Sequence, residues 1–469
     1  MAVLSTPSSV SPGLVPRLVA LVVFIQLLDG TIIATSLPAM AAAFGVDAVA
    51  MSVGITAYLL ALAAVVPAAG WIGERFGARQ VLVVSVGLFT LASLLCVVAP
   101  SLWAFVAARI LQGAAAALMA PVGRLLVLRS ARKSELMNAI STITWPALFA
   151  PVIGPVLGAW ITETVGWEWN FLVNLPLGLA AITLFLLLVP ESDRGHSAPF
   201  DALGFALCSL SLLGFLGGLE LVANGDAGLL AGGLLAAGLA LGALGWRHMR
   251  RTTAPLFDLR VLTVPSFRLA TMTAGTLGRM TINATPFLLP LLFQVGFGLS
   301  ALASGRLVLV YFLGNLVMKS VTTPVLRTWG FRPVVVGNGL LAAATVGSFA
   351  LVPARLPEMA LWVLLFATGA FRSMQLTALN TLAFADIGER QRATSATLTA
   401  MTQQLAQLLG VALSVVAIRG SEAWRGAEET RILDLRAAFL GMAALGVVSA
   451  LAFLRLPPDT GREVTGHRG

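Results

Sequence analysis

Apolar residues come along this chain in long runs. From Leu18 to Leu454, stretches of about 20 mostly apolar residues follow one another with short polar breaks, each stretch enough to cross a hydrocarbon core roughly 30 Å thick. Cutting at the Pro, Gly and charge clusters predicts helices over 17–40, 51–72, 80–98, 102–128, 137–162, 170–189, 201–223, 227–246, 266–294, 302–326, 333–353, 357–384, 393–418 and 436–455. The pattern therefore predicts an all-α polytopic membrane protein with 14 transmembrane helices.

Composition agrees: 58% of residues are hydrophobic and 11% charged, against roughly 25% charged in a soluble domain. The first apolar run follows Arg17, carries Asp29 in its interior and has no small-residue cleavage site, so it reads as a retained helix and not a signal peptide. Two cysteines, Cys96 and Cys208, each inside an apolar run, rule out a disulfide framework. A net charge of +9 raises the question of nucleic acid, but the arginines are scattered between spans and form no patch. With both termini cytoplasmic, 19 of the 30 Lys and Arg fall in inner loops or tails, five in outer loops and six inside spans. That is the positive-inside distribution, carried mostly by Arg75 and Arg79, by Arg129, Arg132 and Lys133, and by Arg247, Arg250, Arg251, Arg260 and Arg268.

The chain also repeats itself. Gly77, one residue, Arg79 and an aliphatic run recur as Gly330, one residue, Arg332 and an aliphatic run, at an offset of 253 residues. Gln112 and Gly113 in the fourth span are echoed by Thr368 and Gly369 in the twelfth. Two six-helix halves with an inserted helix pair fit this spacing, giving domains 1–190, 191–265 and 266–469.

Several stretches carry a family resemblance. The loop Gly70, Trp71, Ile72, Gly73, Glu74, Arg75, Phe76, Gly77, Ala78, Arg79 resembles the cytoplasmic loop that characterises the major facilitator superfamily, with Glu74 in place of the usual Asp. Leu28, Asp29, Gly30, Thr31 in the first span and Arg109, Ile110, Leu111, Gln112, Gly113 in the fourth resemble the fourteen-helix drug:proton antiporter branch of EmrB/QacA type, above all its MdtD-like members. Gly154, Pro155, Val156, Leu157, Gly158 in the fifth span resembles the antiporter motif of that branch, with Ala150 and Ala159 where glycines are usual. Trp167, Glu168, Trp169, Asn170, Phe171 and Asn174 match the branch's aromatic approach to the sixth span. The resemblance implies the superfamily's fold of two six-helix bundles, here with two inserted helices, and a secondary exporter of small organic compounds, of multidrug-efflux type, working by alternating access. It also implies that the Gly70 to Arg79 loop, with Gly70, Gly73, Glu74, Arg75, Gly77 and Arg79, is the conformational switch, and that Arg109 takes part in proton coupling.

A charge near the bilayer centre costs roughly 2.5–3.5 kcal/mol on insertion scales, so each is a functional candidate. Arg109, Arg124, Arg279, Arg306, Lys319 and Arg372 fall inside spans. Asp29 is the acid deep in the first half and the candidate protonation site; no acid occupies the middle of a second-half span, where Arg279 and Arg372 lie. Polar residues stand beside these charges: Gln26 near Asp29, Asn283 one turn past Arg279, Gln375 one turn past Arg372, and Thr399, Gln403 and Gln407 along one helix face. Together they are the expected substrate cavity, although such residues also serve simply to bond neighbouring helices. Its arginines favour anionic or neutral substrates over quaternary cations.

No phosphate-binding loop of the ATPase type occurs, so an ion gradient is the expected energy source and no cofactor is expected. The histidines His196, His248 and His467 fall in inner loops or the tail without metal-ligand spacing, which argues against a membrane enzyme and against a metal site. No soluble module suggests a receptor. An uptake carrier for an organic acid or other metabolite is the remaining rival. The expected partners are a small-molecule substrate, protons and the lipid bilayer, with the protein acting as a monomer in a bacterial inner membrane.

Overall fold

The computed structural model describes residues 13–33, 36–46, 51, 53–132, 135–144, 146–191, 199–223, 228–299, 301–353, 357–426 and 431–462. Lys133, His196 and His467 lie outside these residues, as does the side chain of Pro155. All regular structure among the described residues is helical. Lipid offers no partner to a backbone N–H or C=O, and a helix satisfies both within one segment.

The helices are α1 (Leu14–Ile32), α2 (Leu37–Phe44), α3 (Val53–Val65), α4 (Ala69–Phe76), α5 (Ala78–Val97), α6 (Leu102–Ser130), α7 (Leu136–Thr144), α8 (Pro146–Thr164), α9 (Trp169–Leu172) and α10 (Asn174–Leu188). The inserted pair is α11 (Ala202–Ala223) and α12 (Leu229–Met249). Then follow α13 (Ala274–Leu291), α14 (Ala301–Trp329), α15 (Phe331–Ser348), α16 (Glu358–Ala385), α17 (Arg392–Arg425) and α18 (Ile432–Ala452).

Among the described residues, 11 helical segments are long and apolar enough to cross a membrane. The expected fifth, ninth and eleventh spans are helical as well, but shorter or interrupted. The fifth comprises α7 and α8, with Trp145 between them outside the described residues; the ninth, α13, carries Pro286 and Pro290 and is flanked by π-helical turns at Arg268–Met272 and Leu292–Gly296. Each internal proline removes a backbone donor, and a π turn absorbs the mismatch. The expected first span, 17–40, divides after Ile32 and resumes as α2.

The chain forms two compact units. The first comprises Met1–Leu62, Ile72–Arg132 and Thr142–Ser197, and the second Ala63–Trp71, Lys133–Ser141 and Ala198–Gly469, so the inserted pair falls in the second. Within the first, α1 packs on α8 and α5 on α10; within the second, the corresponding α13 packs on α17 and α15 on α18. Each unit buries an aromatic core, Phe105, Trp167 and Phe171 in one and Phe293, Phe349 and Phe439 in the other. Leu187, Leu229 and Leu351 point outward, the side on which lipid replaces water as solvent.

The sequence repeat has a counterpart in geometry. Gly77 and Gly330 both adopt positive φ, 85° and 75°, where the chain turns into α5 and α15, and a side chain is disfavoured at either position. A Cβ at Gly113 would lie 2.2 Å from the Tyr58 carbonyl oxygen, and one at Gly369 would lie 1.8 Å from the Tyr311 carbonyl oxygen. Backbones at these crossings therefore touch, the use that small residues serve between membrane helices. Tyr58 and Tyr311 are the chain's two tyrosines and are themselves 253 residues apart.

Where the inserted pair meets the segment leading to α13, Asp201 organises the backbone. Its carboxylate accepts from the Gly204 N–H at 2.8 Å, capping α11, from His248 Nε2 at 2.8 Å and from the Leu256 N–H at 3.1 Å. Burial alone would raise its pKa, but these three donors hold it below the usual carboxylate range. A carboxylate depressed in the folded state contributes stability that is present above its unfolded pKa, about 3.9, and lost as pH falls through the lower folded value. The protection factors of the Gly204 and Leu256 amides should therefore fall as the pH drops below about 4, and Asp201→Ala should lower them at neutral pH at a cost of about 1 kcal/mol. Unchanged exchange in that variant would remove Asp201 as the anchor.

Candidate functional site

In the first unit the deepest charges meet. Asp29 on α1 and Arg109 on α6 are each 1% exposed and are paired at 2.9 Å between Asp29 Oδ2 and Arg109 Nη1. Two amides complete the acid's shell: Gln112 Nε2 donates to Asp29 Oδ1 at 2.9 Å and Asn174 Nδ2 donates to the same oxygen at 2.8 Å. Both amides also donate to Ser93 Oγ, at 2.8 and 3.1 Å, which locks four helices around one carboxylate. Arg109 spends its remaining donors on the Gly54 carbonyl at 3.3 Å and on Gln112 Oε1, and its guanidinium stacks 4.3 Å over the Tyr58 ring. Gln26 stands beside Tyr58, with its Oε1 buried and without a hydrogen-bond partner.

Chemically the arrangement is one buried carboxylate facing a cation and two amide donors, so that its charge is compensated without water. The Gly154–Gly158 stretch sits against the same helix. A Cβ at Gly154 would lie 2.1 Å from Thr31 Oγ1, and that hydroxyl donates to the Ala150 carbonyl at 3.1 Å. Pro155 follows in α8, and the Gly158 carbonyl accepts from Asn170 Nδ2 at 3.5 Å.

The loop residues divide by role. Glu74 lies 3.8 Å from Arg129, Arg75 is exposed, and Gly73 packs on Leu125. Arg79 donates to the Phe185 and Leu186 carbonyls at 3.2 and 2.8 Å, a cation at the carboxyl end of α10 where the helix dipole favours one. Gly70, in the second unit, would place a Cβ 2.7 Å from Thr397 Oγ1.

The predicted cavity residues of the second unit do not share one environment. Arg279 donates to the Ala270 carbonyl and, at 3.1 Å, to Asn380 Oδ1, which also accepts from Gln403 Nε2 at 2.8 Å. Gln375 is consumed between helices, accepting from Asn338 Nδ2 at 2.9 Å and donating to the Val335 carbonyl at 3.1 Å. Gln407 is exposed and Asn283 half-buried. On Arg372, Nε and Nη1 are buried without a hydrogen-bond partner, and the guanidinium lies 5.8 Å from the Tyr311 ring centroid.

The sequence pattern of the Major Facilitator Superfamily matches residues 19–411. The chain belongs to that superfamily. Among curated relatives, a protein of Serratia proteamaculans named as multidrug resistance protein MdtD is 34% identical over 94% of this chain and 93% of its own length. Its namesake in Pectobacterium atrosepticum is 32% identical over 96% of each. Among solved structures, the superfamily's proton:xylose symporter XylE aligns with a TM-score of 0.63 at 16% identity, covering 96% of this chain and 98% of that one. The human organic anion transporter MFSD10 aligns with a TM-score of 0.64, also at 16% identity, covering 96% and 100%. At that identity the two structures speak for the superfamily fold and no more.

Within this superfamily member the sequence reading had named Asp29, Arg109 and Gln26 but not Tyr58, Ser93 or, as a partner of the acid, Asn174. The two tyrosines at the repeat offset were the available signal for Tyr58. Removing one partner of a buried ion pair leaves an uncompensated charge, at a cost of about 3–5 kcal/mol. Arg109→Gln should therefore lower the thermal stability of the purified protein sharply, and the double variant Asp29→Asn/Arg109→Gln should recover much of the loss. Equal stability of the single and double variants would show that the pair is not what holds this site.

Proposed function

We propose that this chain is a proton-coupled antiporter exporting small organic compounds of the multidrug-efflux kind, and that Asp29 carries the coupled proton with Arg109 as its switchable partner. The observation that carries the reading is the carboxylate of Asp29, buried at 1% exposure and held by Arg109, Gln112 and Asn174. The relatives named for multidrug resistance over nearly the whole chain support the direction of transport. The motif Gly154 to Gly158 packed against the Asp29 helix supports membership of the fourteen-helix antiporter branch. We place the protein in a bacterial inner membrane with both termini cytoplasmic, on the distribution of its arginines, and take it to act as a monomer without cofactor or metal.

The energetics suffice. A membrane potential of 100 mV supplies about 2.3 kcal/mol for each charge moved, enough to sustain roughly a fifty-fold solute gradient per proton. Protonation of Asp29 on one side and release on the other, tied to alternating access, converts that gradient into export.

The test is reconstitution in proteoliposomes with an imposed pH gradient. Wild-type protein should let an exported compound dissipate the gradient, and Asp29→Asn should reduce that coupled flux at least about a hundredfold while still permitting exchange of the compound across the membrane without net proton movement. Proton-coupled flux that survives Asp29→Asn would remove Asp29 from the mechanism, and co-transport of solute and proton in one direction would make the protein an uptake carrier.

A further inference from the structure

The second unit holds a charge cluster that the proton switch does not use. On α14, Tyr311, Asn315 and Lys319 recur every fourth residue and so form one stripe. The stripe faces α16, because the two backbones meet where a Cβ at Gly314 would lie 2.0 Å from the Phe366 carbonyl oxygen and one at Gly369 would lie 1.8 Å from that of Tyr311. Across this contact Lys319 Nζ donates to Thr377 Oγ1 at 3.0 Å, and the charge of Arg372 acts on it as a repulsive neighbour.

The donors of this cluster are left over. Arg372 Nε and Nη1, the Tyr311 hydroxyl and both amide atoms of Asn315 are buried without a hydrogen-bond partner, and Tyr311 and Asn315 are fully buried. Among the described residues no carboxylate pairs with Lys319 or Arg372. Arg109 and Arg279, also buried, are engaged by the protein itself, Arg109 by Asp29 and Arg279 by a carbonyl and Asn380. Two cations in a low-dielectric setting with unused donors are unfavourable alone and are relieved by an anion between them.

We propose that Lys319 and Arg372, assisted by Asn315 and Tyr311, form the receptor for the carboxylate of an exported organic anion. This rests on the exporter reading and deepens it by naming the substrate class. The planar guanidinium presents paired N–H donors that match the two oxygens of a carboxylate, and the ammonium adds a point charge. Arg279 is not part of this receptor, since its donors hold α13 to α16.

Equilibrium binding to the purified full-length protein tests the proposal without transport. The probes are radiolabelled benzoate, naphthoate and phthalate, with naphthylmethylammonium as the cation of matched ring and inorganic phosphate and chloride as competitors. At least one carboxylate should bind, naphthylmethylammonium and the inorganic anions should not displace it, and Lys319→Gln and Arg372→Gln should each weaken it at least about tenfold. Lys319→Arg, which keeps the charge, should stay within about threefold of wild type. If a Gln variant does not fold, the wild type still decides: the bound carboxylate should raise its thermal midpoint and the matched cation should not. No binding by any of the carboxylates, displacement by the cation or by phosphate, or unaltered affinity in both Gln variants would overturn the proposal. Such a failure with Asp29-dependent cation export intact would leave the exporter reading standing. Carboxylate binding without proton-driven flux would do the reverse.

Discussion

Because a charge inside a lipid-facing helix bundle has no water to solvate it, each buried ion in this chain must find compensation within a few ångströms, and where it does so organises the rest. Asp29 finds it in Arg109, and the pair recruits Gln112, Asn174 and Ser93 from three helices. The ring of Tyr58 and the carbonyl of Gly54 fix the far side of the guanidinium. Close packing follows from the same need: Gly113 lets α6 approach the Tyr58 backbone, and Gly154 lets α8 approach Thr31, one half-turn from the acid.

The second unit keeps the frame and changes the charge. Tyr311 stands where Tyr58 stands in the repeat, its carbonyl against Gly369 as that of Tyr58 is against Gly113, and each tyrosine ring has an arginine beside it. Among the described residues no acid answers Arg372, and Lys319 adds a second positive charge nearby. In the first unit Arg109 is answered by Asp29, whereas in the second Arg372 keeps donors without a partner.

Much of this was legible in the residues because lipid is a demanding solvent. Run length located the helices and rarity singled out Asp29, whereas Arg109, one of six basic residues inside spans, was set apart by the family motif it sits in. The breaks were harder to see: α2 after Ile32 and the π turns beside α13 depend on local backbone geometry that hydropathy does not register. Cavity membership was harder still. Gln375 and Arg279 look alike with Arg372 in sequence, yet two of the three are consumed by Asn338, Asn380 and backbone carbonyls from other helices. Lys319 was visible as a buried cation, but its role waited on knowing that α14 lies against α16. The tyrosine pair was available in the repeat and carried more information than its ordinary apolar surroundings suggested.

The central claim is that Asp29 exists in two protonation states inside the first unit, and infrared difference spectroscopy of the purified protein between neutral and acidic pH tests it most directly. The account predicts a protonated-carboxyl band that appears on acidification and disappears in Asp29→Asn. A difference spectrum in the carboxyl region that is the same in wild type and Asp29→Asn would contradict it.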